Sequence, residues 1–433
     1  MDIKEHTTQA LAVVVEKLPI GTNLALYQFL WMLVSGALHD SRGALFPALQ
    51  AIGLSDAEVR RAWAALRYGA WSIEDMLPVW YAYVTGQEHW QPQQYAGYYV
   101  KAVDITAFWR PTLHGIQSQH YDAQADRALP AVVFGLVGRV GRCGEQRQAL
   151  LTNLLRADLA DPSEATLHTQ LLKQVVAELT PDEMPVFDAG FTLRALHAAA
   201  VPRFVVRLPK NFTARRNFLP EYAGGRPAEY GALVRPVART YKDKRIAATP
   251  PDRSETWQHQ GLELRAEFWD DVVLPDCKPA PDNPTFIVAV LTDPRFEEPW
   301  VLACPHKLSG ADFRGFYHAR WPIEQLPLAA KHMVGANRQF VFAAESCYRL
   351  PELALLAGSI LTYLAATLPP IPTGFWDRQP QATPGRLRRW LARTRFADLP
   401  PLRQERIRKK VAVTEHLPKG VRGHRRVKQP ALA

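Results

Sequence analysis

The spacing of apolar residues changes once along this 433-residue chain, near position 95, and that change limits the fold more than any other feature. Before it, ALAVVVEKL, LALYQFLWMLV and AWAALRYGAW carry apolar residues at helical spacing. After it come short β-rich runs, YVKAVDITAF, LHGIQSQHYD and PAVVFGLVGRV, then a helix over 163–179 that opens at Ser163 behind Pro162. The strand MPVFD, the helix FTLRALHAAA and the strand RFVVRLP follow. Strands alternating with helices predict an α/β fold, preceded by a helical N-terminal domain.

Four regions follow from this texture. Residues 1–95 are a helical N-terminal domain, serving DNA binding or dimerisation. Within it, FPALQAIGLSDAEVRRAWAAL fits either a helix-turn-helix, with Gly53 at the turn, Ser55 or Asp56 as cap and Arg60 and Arg61 on the second helix, or a plain helical hairpin. Residues 96–211 and 285–368 form the α/β domain, with helices expected over 309–320, 323–337 and 351–367. Residues 212–284, rich in Pro, Gly and charge, form a β-rich insertion with strands around ALVRPVART and LELRAEFW. Pro369, Pro370 and Pro372 lead into a basic C-terminal tail over 369–433.

Composition excludes several classes. With 47% apolar and 10% aromatic residues the chain has material for large cores and does not resemble a disordered one. The charge-free stretch from Leu18 to Leu38 is long enough to span a bilayer, but Pro19, Gly21, Thr22, Asn23 and Gln28 favour a core helix. Asp2 and Glu5 speak against a signal peptide. The expectation is a cytoplasmic, nucleoid-associated protein with no membrane contact. Cys143, Cys277, Cys304 and Cys347 are widely spaced and lack zinc-site spacing, so reduced thiols are expected. The net charge of +10 is concentrated at one end. Residues 386–433 hold fifteen Lys or Arg against three acids, which leaves residues 1–385 at about −2. A block of this kind suits a phosphate backbone, because each cation that neutralises a phosphate releases a condensed counterion.

Three acids and three further side chains carry the chemistry. Asp104 follows the alternating run YYVKAV, and Asp188 follows the apolar residues of MPVF ahead of Gly190. Both are expected at strand ends, where a carboxylate emerges from a buried sheet. Either alone is as readily a turn former or helix cap. More specific is FYHARWPIEQLPLAAK, in which Tyr317, Arg320, Glu324 and Lys331 are separated by two, three and six residues. On one continuous helix they would share an arc of about 60°. Pro322 instead predicts two helices joined at Trp321, and Pro327 disturbs the path to Lys331. A carboxylate among Tyr, Arg and Lys can hold metal while the cations hold phosphate oxygens.

This Tyr-Arg-Glu-Lys spacing resembles the signature of the insertion-sequence-four group of bacterial DDE transposases. The group's two aspartates map onto Asp104 in VDITAF and Asp188 in FDAGF, and the resemblance spans roughly residues 98–367. It implies a ribonuclease-H-like core, whose order of three strands, helix, strand, helix, strand the chain repeats, and it accounts for a β-rich insertion before the glutamate.

The resemblance also implies an activity: metal-dependent cleavage of double-stranded DNA at element ends and strand transfer into a target. Both are in-line displacements at phosphorus that two ions about 4 Å apart can stabilise. Three carboxylates favour Mg²⁺, or Mn²⁺ as substitute, with Asp104 bridging two ions and Asp188 and Glu324 each holding one. Tyr317, Arg320 and Lys331 are implied to hold DNA, and a homodimer is implied on it. Trp257 and Trp269 are either base-stacking platforms or core residues. Two rival readings remain: a non-catalytic DNA-binding protein derived from a transposase, and another ribonuclease-H-like nuclease.

Overall fold

The computed structural model describes residues 2–410 except 111, 223 and 225. The basic stretch KGVRGHRRVK at 419–428 therefore lies outside the described residues. Helices α1 (Ile3–Val15), α2 (Thr22–Val34), α3 (Ala37–Asp40), α4 (Leu45–Ala51), α5 (Asp56–Tyr68) and α6 (Ile73–Thr85) come first. Nearly every residue of α2 is buried, which accounts for its lack of charge. Between α4 and α5 the chain turns at Gly53, whose φ of +92° is easy only for glycine. Ser55 and Glu58 then cap α5 reciprocally. That helix packs on α2 and leaves Arg60 and Arg61 exposed.

The α/β region continues with β1 (Trp90–Pro92), β2 (Gln94–Tyr95), β3 (Tyr98–Trp109), β4 (Gln119–Asp122), β5 (Arg127–Cys143) and β6 (Gln146–Arg156). Next are α7 (Glu164–Glu178), β7 (Glu183–Phe187), α8 (Leu193–Ala198) and β8 (Val205–Arg207). Then come β9 (Ala214–Arg216), β10 (Leu233–Val234), β11 (Arg239–Tyr241), β12 (Lys244–Ile246), β13 (Arg253–His259), β14 (Leu262–Val273), β15 (Phe286–Thr292) and β16 (Trp300–Cys304). The last helices are α9 (Gly310–Arg320), α10 (Pro322–Leu328), α11 (Ala344–Thr367) and α12 (Pro384–Leu391).

One mixed sheet organises the molecule. Its main path runs β1-β5-β3-β7-β8-β16-β15-β14-β9-β10, with β6 paired to β5. Strand β5 runs antiparallel to both β3 and β6, whereas β7 and β8 run parallel to β3. A parallel step needs a crossover, and α7 and α8 supply the two crossovers. One face packs on Phe187, Phe191, Leu171 and Leu196, and the other meets α9, α10 and α11.

The N-terminal helices share this second core. Trp80 donates through Nε1 to Ser359 Oγ of α11 at 3.0 Å, and Arg349 donates to the carbonyls of Leu66 and Trp71. Apolar burial is continuous from Ala10 through α11 to Ile407.

Two features depart from the sequence-based expectation. Strand β14, inside the 212–284 segment, does not stand apart but joins the main sheet, with Phe268 opposite Ala289 of β15. The described part of the basic C-terminal region also packs against the body. Leu387, Leu391 and Ile407 are buried, and Asn23 donates to the Arg406 carbonyl at 2.7 Å. Among the described residues, one helix, α11, is long and apolar enough to cross a membrane. Its most apolar window is 83% buried inside the protein, and its Glu352 is ion-paired to Arg156.

Candidate functional site

The register between β3 and β7 sets two of the acids side by side. The strands pair in parallel from Tyr99 with Glu183 to Ala102 with Val186, and Asp104 and Asp188 each lie two residues beyond that last pair. Neighbouring strands run about 4.8 Å apart, so the two chains deliver their carboxylates to the same sheet edge. The expected strand end is corrected for Asp104, which lies in mid-strand opposite Leu136 of β5. What ends there is the neighbour: β7 stops at Phe187, so β3 runs on past it. Asp188 does follow its strand directly. Its Oδ1 accepts the Gly190 N–H at 3.0 Å, and a Cβ on Gly190 would stand 3.1 Å from that same oxygen. Glycine there lets the turn close around the carboxylate.

The signature sits on α9, α10 and the turn after them. Helix α10 begins with Pro322 directly after Trp321, as the proline predicts, but Trp321 itself keeps helical angles (φ −48°, ψ −38°) and the path is only mildly broken. Glu324 falls in the first turn of α10, where the helix dipole favours a carboxylate. Pro327 lies inside α10 and cannot donate to the Ile323 carbonyl. The next turn, Ala329–Met333, is a π-helix that carries Lys331.

Around Asp104 these side chains meet. Arg320 Nη2 donates to Glu324 Oε1, and Arg320 Nη1 lies 4.0 Å from Asp104 Oδ1. The arginine is 6% exposed, yet its Nε and Nη1 have no hydrogen-bond partner. Lys331 donates through Nζ to Thr106 Oγ1 at 3.1 Å, on the same face of β3 as Asp104. Tyr317 is buried against Trp300, and its hydroxyl accepts from Arg207 Nη1 at 3.1 Å.

Electrostatics follow from this crowding. Burial pushes the Asp104 carboxyl up to about 7; Arg320 opposes the rise, and Asp188 and Glu324 add to it. Burial would lower the Arg320 guanidinium, but Glu324, then Asp104, outweigh it and hold it above its ordinary value. Lys331 is lowered by burial to about 8, with Asp104 pulling the other way. Among the described residues, no three His, Cys, Asp or Glu side chains stand together closely enough to hold a metal ion as oriented. The donor set is all oxygen and mutually repulsive, which suits Mg²⁺ or Mn²⁺ chemically, but Glu324 is turned onto Arg320.

Two participants escaped the sequence reading. Arg207 ends β8 and reaches Tyr317 because β8 pairs with β16, and Thr106 became visible only through Lys331. Nothing in RFVVRLP marks its last arginine. Trp269 is buried and donates through Nε1 to the carbonyls of Thr249 and Pro250, so it belongs to the core. Trp257 is half-buried beside Gly310. The four cysteines are free thiols. Comparison of the sequence with protein-family models and with curated proteins gives no match.

Proposed function

We propose that the chain is a DDE transposase on a ribonuclease-H-like core, cutting double-stranded DNA at element ends and joining the freed 3′ end to a target strand. The observation that carries this reading is the meeting of Arg320 with both Asp104 and Glu324, although 216 positions separate Arg320 from Asp104. A surface helix of mixed charge would have no reason to aim its signature residues at one largely buried aspartate on a distant strand. Apart from the short β4 that pairs with the start of β5, the element order β3, β5, β6, α7, β7, α8, β8 is three strands, helix, strand, helix, strand, which supports the core assignment.

In this reading Asp104, Asp188 and Glu324 hold two Mg²⁺ or Mn²⁺ ions. Such ions, when bound, stabilise charge on the attacking and leaving oxygens of displacement at phosphorus. The partnerless Nε–H and Nη1–H of Arg320 are donors for a phosphate oxygen. Lys331 adds a cation beside Thr106, and Tyr317 has its own O–H left to donate while its oxygen accepts from Arg207. The exposed cations of the C-terminal region, such as Arg389 and Arg393, hold the duplex without reading its sequence.

The test is incubation of the purified protein with the DNA flanking its own gene in Mg²⁺. Nicking or double-strand cleavage at the element ends supports the reading. Binding without cleavage points to a DNA-binding derivative, and preferential cleavage of an RNA–DNA hybrid points to another nuclease.

A further inference from the structure

We infer that Arg320 is the built-in counter-cation of the acidic site: it competes with a divalent metal for Asp104 and Glu324, and the metal frees it to hold a substrate phosphate. This rests on the transposase reading and adds a regulation to the same site.

Three observations carry it. Arg320 bridges the two carboxylates, with Nη2 on Glu324 and Nη1 4.0 Å from Asp104. The bridge is incomplete, since Nε and Nη1 are buried and have no hydrogen-bond partner, which is costly unless another ligand serves them. Finally, the carboxylates are not gathered for a cation while the guanidinium lies between them, as Glu324 faces Arg320.

A guanidinium donates five N–H groups in a fixed fork and cannot bind a cation. Its hold on Glu324 Oε1 keeps that carboxylate turned toward it, so both oxygens become available to an ion only as the guanidinium lets go. The released fork is already beside Asp104, with donors that suit a phosphate. Linkage makes the exchange reciprocal: a DNA phosphate that draws Arg320 off Glu324 tightens metal binding, and metal tightens the grip on DNA by the same factor. A site of this design stays charge-compensated without substrate and gains its metal when DNA arrives.

The experiment measures Mn²⁺ binding to the full chain without DNA, from the loss of the free-ion paramagnetic signal and by calorimetry. Wild type is compared with Arg320→Gln and Arg320→Lys, and Asp104→Asn serves as the site control. The expected result is Mn²⁺ binding roughly tenfold tighter in Arg320→Gln, the scale of one lost charge-assisted hydrogen bond. Arg320→Lys should be tightened by a smaller factor, because an ammonium keeps the charge but cannot bridge both carboxylates. A short phosphorylated duplex should tighten Mn²⁺ binding in wild type and have little effect in Arg320→Gln. Equal or weaker Mn²⁺ binding in both arginine variants, with Asp104→Asn still abolishing it, overturns the exchange and leaves the transposase reading intact. Binding that is insensitive to Asp104→Asn overturns the metal site itself. Should the Gln variant misfold, as judged by circular dichroism, the Lys variant and the duplex titration of wild type decide the matter.

Discussion

Lys331 Nζ lies 3.1 Å from Thr106 Oγ1, joining a π-turn to a strand 225 positions away in the chain. The contact sets a half-buried ammonium against Thr106, two residues from Asp104 on one strand face, and burial lowers it to about 8. A lysine lowered on folding binds fewer protons in the native state between about 8 and its ordinary 10.5. Its penalty is therefore fully present below pH 8 and is relieved as pH rises through that window. Lys331→Met should raise stability at pH 7 by on the order of 2 kcal/mol, with the gain shrinking toward pH 10. Thermal melts at the two pH values check this, and a gain that grows with pH would contradict it.

Asp104 gives the opposite slope. Its carboxyl is raised to about 7, so the folded protein holds a proton that the unfolded chain releases from 3.8 upward. Metal-free stability should fall as pH rises from about 4 to 7. Asp104→Asn removes that loss, and its Tm should exceed that of wild type by roughly 2–4 °C at pH 7.5 and by little at pH 4. Melts in a chelator decide, and an equal effect at both pH values would show that the carboxyl is not the cause.

How much of this was written in the sequence depends on the distance a contact spans. The apolar residues of YYVKAV and MPVF mark β3 and β7, central strands buried on both faces over Val100–Val103 and Glu183–Phe187, so both aspartates could be picked out. Their shared register could not, since it is set by the α7 crossover and the parallel pairing of Ala102 with Val186. Pro322 located the joint at Trp321 correctly, while the helix expected over 351–367 opens earlier, at Ala344, and carries Pro351 inside it. Pro327 warned of trouble before Lys331 but gave no sign that a π-turn would redirect the lysine onto Thr106. Arg207 had no local signal, because its role comes from the pairing of β8 with β16.

Arg207 should matter for DNA rather than for folding. It holds the Tyr317 hydroxyl and extends the cationic rim beside Arg320. Arg207→Gln should lower cleavage roughly tenfold, the scale of one charge-assisted hydrogen bond, with circular dichroism unchanged. Unaltered cleavage would remove it from the site.

The exposed arginines of the C-terminal region should set the salt dependence of binding. Replacing Arg389, Arg393 and Arg395 by Gln leaves the buried Leu387 and Leu391 in place, unlike deletion of the segment. The slope of log K against log salt should flatten by up to about 3, alike for all duplex sequences. An unchanged slope would show that these cations do not touch phosphate.

The most direct measurement is strand cleavage of the gene's own flanking DNA in Mg²⁺ by wild type, Asp104→Asn, Asp188→Asn and Glu324→Gln, with duplex binding measured in parallel. Each substitution removes one carboxylate oxygen donor at nearly constant volume. Wild type should cut at the element ends, and all three variants should bind the duplex about as tightly and cut at least about a hundredfold more slowly, as loss of a ligand to catalytic metal requires. Cleavage at the wild-type rate by any one of the three, in a folded variant, would contradict the assignment of these residues as one metal-dependent site.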